Sequence, residues 1–269
     1  MHSPIRAILF DLAGTTVDHG CLAPVEVFLE VFRRNGVSAT HAQARAPMGT
    51  HKREHLSQML AMPEILAQWQ ERHGPVSEAS VERLYEQTVA LQLECLPRHS
   101  RPIRGVTALM ADLEQRGIAW GVTTGYSRLM MDVTLASARP HGFIPPVAVS
   151  ASEVSEGRPA PFLCWTALMR LGVWPASACV NVGDTIPDVE SGRNAGMWSV
   201  AVVETGNGVG MSEAELEALP AARRVAIRKA AGAQFMAAGA HYIVDSAAEL
   251  GPVLEEIEER IRMGEKPSR

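Results

Sequence analysis

The chain has 269 residues, 25 Lys+Arg against 30 Asp+Glu for a formal net charge of −5, and 46% hydrophobic and 20% charged residues. That length accommodates one sizeable α/β core plus an insertion without disulfide or metal staples. The composition excludes a largely disordered chain, a collagen and a coiled-coil rod, and the slight acidity points away from a polyanion-binding surface while leaving room for a basic pocket around one small anion.

The opening MHSPIRAILFDLAG carries only a short apolar run, broken by Asp11, and no later stretch reaches bilayer-spanning length. The expectation is a cytoplasmic protein with neither membrane nor nucleic acid as partner. Cys21, Cys95, Cys164 and Cys179 are too widely spaced for a zinc ribbon or a redox pair, so reduced thiols are expected.

Residues 5–10, IRAILF, read as a buried strand that ends at Asp11 and enters the small-residue loop AGTTVD. Residues 20–99 carry helical signals only: Pro24 near a helix start, then VEVFLEVFRRNG, KREHLSQML, PEILAQWQERHG and VERLYEQTVALQLECL, with turn signals between. From Arg101 helices and strands alternate. The helix GVTALMADLEQRG precedes the strand IAWGVTT, a helix over residues 127–138 precedes VAVS, and PFLCWTALMRLG precedes ACVNVGD. A short helix over Glu190 to Asn194, the strand MWSVAVV, a long helix AARRVAIRKAAGAQFMAAG, the strand HYIVD and a terminal helix frayed after Glu258 complete the chain. This succession predicts an α/β fold: a mostly parallel sheet with helices on both faces. Its core comprises residues 1–19 and 100–269, and residues 20–99 form an inserted all-helical cap above the strand ends.

Ligands of open parallel sheets bind at the carboxyl ends of the strands. Asp11, Thr124, and Asp184 with Asp188 all fall there. Each has a bland reading alone, since aspartates after strands cap helices, GD makes turns, and Thr124 could cap the following helix. Together with the GTT and GDT loops they favour chemistry. Clustered carboxylates call for a cation, and Mg²⁺ takes hard oxygen ligands together with phosphate oxygens.

The strand-D-x-x-G-T-T opening, the TTG strand end and the GDTxxD segment resemble the haloacid dehalogenase superfamily. The resemblance implies a Rossmann-like core and assigns Asp11 as nucleophile, forming an aspartyl phosphate, and Thr124 as the residue that holds the phosphoryl group. Arg158 stands where a lysine is commoner, and its fork suits a phosphoryl group. Asp11, Asp184, Asp188 and the carbonyl of Ala13 would hold magnesium.

Ala13 departs from the superfamily's phosphatases, which carry a proton-donating aspartate there; alanine transfers no proton. Lys52, in PMGTHKREH, offers another route. It could be a solvent-facing helix lysine, but a desolvated amine inside the cleft would condense with a carbonyl, and the iminium would accept the electrons of a breaking carbon–phosphorus bond. His55 follows three positions on and shares its side of the helix.

DLAGTTVDHGCLAPVEVFLEVF, PMGxxKxxH, TTGY and GDTxxDxxxGRNAGMW are similar to the phosphonoacetaldehyde hydrolase (phosphonatase) family across practically the whole chain. That resemblance implies a Schiff base on Lys52 and transfer of the phosphoryl group from carbon to Asp11. His55, Cys21, Met48 and Tyr126 would orient or protonate around the lysine, Gly49 would allow close approach, and a homodimer is expected. The alternatives are a phosphate-monoester phosphatase, a phosphoglucomutase-like enzyme, and a phosphoryl-ligand binding protein without turnover.

Overall fold

A computed structural model describes residues 3–268. Strand β1 (Ala7–Phe10) leads into a run of helices: α1 (Leu22–Arg34), α2 (His41–Arg45), α3 (Lys52–Leu60), α4 (Pro63–His73) and α5 (Glu78–His99). The remainder alternates: α6 (Val106–Gln115), β2 (Ala119–Thr124), α7 (Arg128–Ala138), β3 (Ala148–Ser150), α8 (Phe162–Leu171), β4 (Cys179–Gly183) and α9 (Ile186–Asn194). It closes with β5 (Trp198–Val202), α10 (Glu213–Glu217), α11 (Ala221–Ala237), β6 (Tyr242–Val244) and α12 (Gly251–Arg262).

Among the described residues the strands form one six-stranded sheet in the order β3-β2-β1-β4-β5-β6, with every pairing parallel. This is the doubly wound order of a Rossmann-like fold, and it reverses direction between β1 and β4. β1, β4 and β5 are buried along their whole length because helices cover both faces, so they read as near-continuous apolar runs, interrupted by Asn181 in β4 and Ser199 in β5, rather than alternating ones. The helices between Leu22 and His99 form a cap inserted after β1.

Two chain crossings join cap and core, and they are tied side by side. Ile103 N–H donates to the Thr16 carbonyl at 2.9 Å, and His99 Nδ1 lies 3.1 Å from Asp18 Oδ1. The second oxygen of Asp18 accepts from the Ala23 N–H and so caps α1, whose own flanking residue Cys21 supplies no side-chain cap.

Two boundaries differ from the sequence reading. α9 begins at Ile186 rather than near Glu190, because Thr185 and Asp188 form a reciprocal capping box across its first turn. α12 stays helical to Arg262, past Glu258, whose carboxylate accepts from Ser3 and Arg116 and so anchors the helix to the core.

Candidate active site

The switch between β1 and β4 brings the strand-end carboxylates together. Asp11 follows β1, and its N–H donates to the Val182 carbonyl of β4 at 2.9 Å. One oxygen each of Asp11, Asp184 and Asp188 falls within 4.8 Å of the others, and all three residues are buried. Each carboxylate is held from one side. Asp184 Oδ2 accepts from the Asn207 N–H at 2.7 Å, and its Oδ1 accepts from the Thr15 hydroxyl at 3.1 Å. Asp188 spends Oδ2 on Thr185 in the capping box, which turns Oδ1 toward the site.

Arg158 is the counter-charge. Its Nη1 donates to Asp11 Oδ1 at 2.7 Å, and its Nη2 donates to both the carbonyl and the hydroxyl of Thr123, at 2.9 and 2.8 Å. Burial works against the guanidinium charge, but Asp188 and Asp11 outweigh it and raise its pKa. Asp188 Oδ1 sits 2.6 Å from Nη1 yet receives no directed N–H. Three carboxylates facing one buried guanidinium leave an excess of negative charge. Burial, then the neighbouring aspartates, push the Asp184 carboxyl well above its usual range; burial and Asp11, opposed by Arg158, push Asp188 up to about 7. The Asp188 oxygen that has no hydrogen-bond donor among the described residues and the all-oxygen donor set fit a hard divalent cation.

The cap faces this cluster across a cavity of about 20 Å³, little more than one water can occupy. Asp11, Ala13, Cys21, Met48, Gly49, Lys52, Thr124, Tyr126 and Arg158 all line it. Gly49 makes this approach possible: a Cβ there would lie 2.2 Å from Thr185 Oγ1 on the core. Thr124 ends β2, and its hydroxyl accepts from the Tyr126 N–H at 3.1 Å.

Lys52 is the first residue of α3 and only 3% exposed, which overturns its solvent-facing reading. Its Nζ stands 5.2 Å from the ring centroids of both Phe28 and Tyr126. Burial lowers its pKa to about 8; Asp11 and Asp18 oppose the shift and Arg158 adds to it. The helix N-terminus also disfavours a cation there. Burial, with nearby acids, keeps the Cys21 thiol and the Tyr126 phenol protonated by raising both well above their usual values.

His55 lies apart from the cavity lining. It is fully buried, stacked 3.8 Å above Phe28, and its Nε2 lies 3.0 Å from the Ala44 carbonyl. A carbonyl only accepts, so Nε2 carries the proton and Nδ1 remains an unpartnered acceptor among the described residues. Burial, then Lys52, hold its pKa well below the usual histidine value, so the ring is neutral.

Sequence reading missed Thr15, Thr123, Thr185 and Asn207, which hold the charged groups, and Arg45, which reaches from the cap to the core. Thr185 had a readable signal, the T-x-x-D box ahead of a helix. Thr15 and Thr123 adjoin recognised motif residues, whereas Arg45 and Asn207 meet only through the tertiary fold.

The haloacid dehalogenase-like hydrolase family model matches residues 8–202, and a second hydrolase-like model of that superfamily matches residues 155–250. The phosphonoacetaldehyde hydrolase of Nitratidesulfovibrio vulgaris (strain Miyazaki F) is 43% identical over 98% of this chain and 95% of its own. That of Bacillus cytotoxicus is 41% identical over 95% and 97%. A crystal structure of a phosphonoacetaldehyde hydrolase-like protein from Oleispira antarctica superposes with a TM-score of 0.96 at 37% identity, covering 99% of this chain and 98% of that one. The chain belongs to the haloacid dehalogenase-like hydrolases and, within them, to the phosphonoacetaldehyde hydrolase family.

Proposed function

We propose that the protein hydrolyses phosphonoacetaldehyde to acetaldehyde and phosphate. The observation that carries this reading is the buried Lys52 amine sharing one small cavity with Asp11 and Ala13. A phosphate ester needs a proton for its leaving oxygen, and the methyl of Ala13 has none to give. A carbon leaving group needs an electron sink, and a lysine with a pKa near 8 supplies one readily.

The neutral Lys52 amine adds to the aldehyde, and the adduct takes up one proton from solvent as it expels water, leaving an iminium. An oxygen of Asp11 attacks phosphorus, the carbon–phosphorus bond breaks, and its electron pair moves into the enamine. Protonation of the enamine carbon, with Tyr126, Cys21 and His55 ordering the surroundings, returns an iminium that water hydrolyses to acetaldehyde and free Lys52. A second water hydrolyses the aspartyl phosphate. Arg158 and Thr124 steady the oxygens on phosphorus, while Met48 and Gly49 close the cavity against bulk water. Asp11, Asp184, Asp188 and the Ala13 carbonyl would hold Mg²⁺, which offsets phosphoryl charge when bound.

The cavity is too small for the substrate, so residues 20–99 open and close as a unit against residues 1–19 and 100–269. We also propose a cytoplasmic homodimer with no nucleic-acid or membrane partner. Support for a self-association face comes from Trp165 and Met169, one turn apart on α8, with Trp174 just beyond, exposed at 43%, 73% and 84%. Among the described residues no helix is long and apolar enough to cross a membrane.

The test is direct turnover. Release of phosphate and acetaldehyde from phosphonoacetaldehyde should far exceed phosphate release from a panel of sugar phosphates and nucleotides; preference for the esters would overturn the reading.

A further inference from the structure

The seam between cap and core is held by polar contacts that the chemistry above does not use. Arg45 ends α2 in the cap. Its Nη1 donates to the Gly20 carbonyl at 2.9 Å and to Asn207 Oδ1 at 3.0 Å, and its Nη2 donates to the Gly210 carbonyl at 2.9 Å. Asn207 answers with its own amide, Nδ2 donating to the Arg45 carbonyl at 3.3 Å. The fit is close: Gly210 has φ +67°, and a Cβ there would lie 2.6 Å from the guanidinium carbon.

The clasp touches both halves of the site. The Asn207 backbone N–H donates to Asp184 Oδ2 at 2.7 Å, while its side chain grips the cap. The Arg45 carbonyl also accepts from the Met48 N–H at 3.1 Å, in the turn that leads to Gly49 and Lys52. Arg45 and Asn207 both line a cleft of about 420 Å³ that reaches Asp184 along the seam.

We propose that Arg45 and Asn207 form a closure clasp, with Arg45 a positioning residue that holds the cap on the core and thereby keeps Lys52 inside the cavity opposite Asp11. The proposal deepens the reading of Lys52 as the imine-forming amine and rests on it for its catalytic consequence. The clasp must release to admit substrate and re-form over it. Losing it lowers the closed fraction, which raises the apparent dissociation constant by that factor while saturating substrate still closes the cap. The charged Arg45 fork makes contacts on both sides of the seam, so its removal costs more than removal of the Asn207 amide.

The test reads Lys52 without substrate. The chain has lysines only at 52, 229 and 266, and the last two are exposed internal controls. Trinitrobenzenesulfonate labelling followed by peptide mapping should mark Lys52 about tenfold faster in Arg45→Ala and less so in Asn207→Ala, with Lys229 and Lys266 unchanged. Arg45→Lys should fall between wild type and Arg45→Ala. KM should rise in inverse proportion to the remaining closed fraction, with kcat within about twofold. Unchanged Lys52 labelling in both variants would overturn the clasp. So would faster labelling of all three lysines with a lowered melting temperature, or a fall in kcat at constant KM. If Arg45→Ala does not fold, Asn207→Ala carries the test alone. Labelling needs no turnover, so failure of the clasp is distinguishable from failure of the reaction assigned to Lys52.

Discussion

The two faces of the cavity follow opposite electrostatic rules. On the core side charge is concentrated and only partly paired: Asp11, Asp184 and Asp188 gather around Arg158, and Thr15, Thr123, Thr185 and Asn207 saturate most of the remaining valences. On the cap side charge is destabilised. Lys52 lies between Phe28 and Tyr126, no carboxylate is bonded to it among the described residues, and its pKa falls to about 8. The same degree of burial thus produces a stabiliser of phosphoryl charge on one face and, on the other, an amine that gives up its proton near pH 8 to become a nucleophile. A phosphonate with an adjacent aldehyde needs both at once, because one end must be held as an anion while the other condenses with an amine.

The largest way to break this contrast is to fix a charge on the cap side. Lys52→Arg should lower acetaldehyde release from phosphonoacetaldehyde on the order of a thousandfold or more, because a guanidinium forms no imine; steady-state assays check this. Removing the charge altogether has the reverse effect on stability. The folded state binds the Lys52 proton more weakly than the unfolded chain, so the burden is full below pH 8 and lifts as pH rises toward 10.5. Lys52→Met should therefore gain up to about 3 kcal/mol in urea unfolding at pH 7, a gain that shrinks by pH 10.

Placing a proton donor on the core side should blur the distinction. Ala13→Asp is expected to raise phosphate-ester hydrolysis by about a hundredfold while lowering phosphonate turnover, read with p-nitrophenyl phosphate and phosphonoacetaldehyde in parallel. A smaller effect lies in the pH profile: kcat/KM should climb about tenfold per pH unit below the Lys52 pKa and level off above about 8. The smallest concerns the carboxylates. Burial lets Asp184 and Asp188 keep protons that a bound cation must displace, so Mg²⁺ should raise the melting temperature more at pH 8 than at pH 6 by scanning calorimetry.

What could be read from the sequence was whatever is local. Asp11 and Asp184 announce themselves as acids that terminate largely apolar runs, and the strand-free interval between Leu22 and His99 is visible because a buried parallel strand would have interrupted its helical spacing. The start of α9 was misplaced because the apolar spacing is weak there and the helix is set by the Thr185–Asp188 box instead. α2 and α10 were missed because five residues are too few to show a helical period. The burial of Lys52 could not be read from its own segment, since the walls that desolvate it come from α1 and the loop after β2. Arg45 and Asn207 are 162 positions apart in the chain, and polar residues at that separation leave no joint pattern in one sequence.

The central claim is that an uncharged amine of the cap bonds to the substrate's carbon while the core takes its phosphorus. Borohydride added during turnover of phosphonoacetaldehyde tests this most directly, with the Lys52 peptide read by mass spectrometry. The account predicts loss of activity in step with an N-ethyl group on Lys52 and no mark on Lys229 or Lys266. Full loss of activity with Lys52 unmodified, or continued turnover under borohydride, would contradict it.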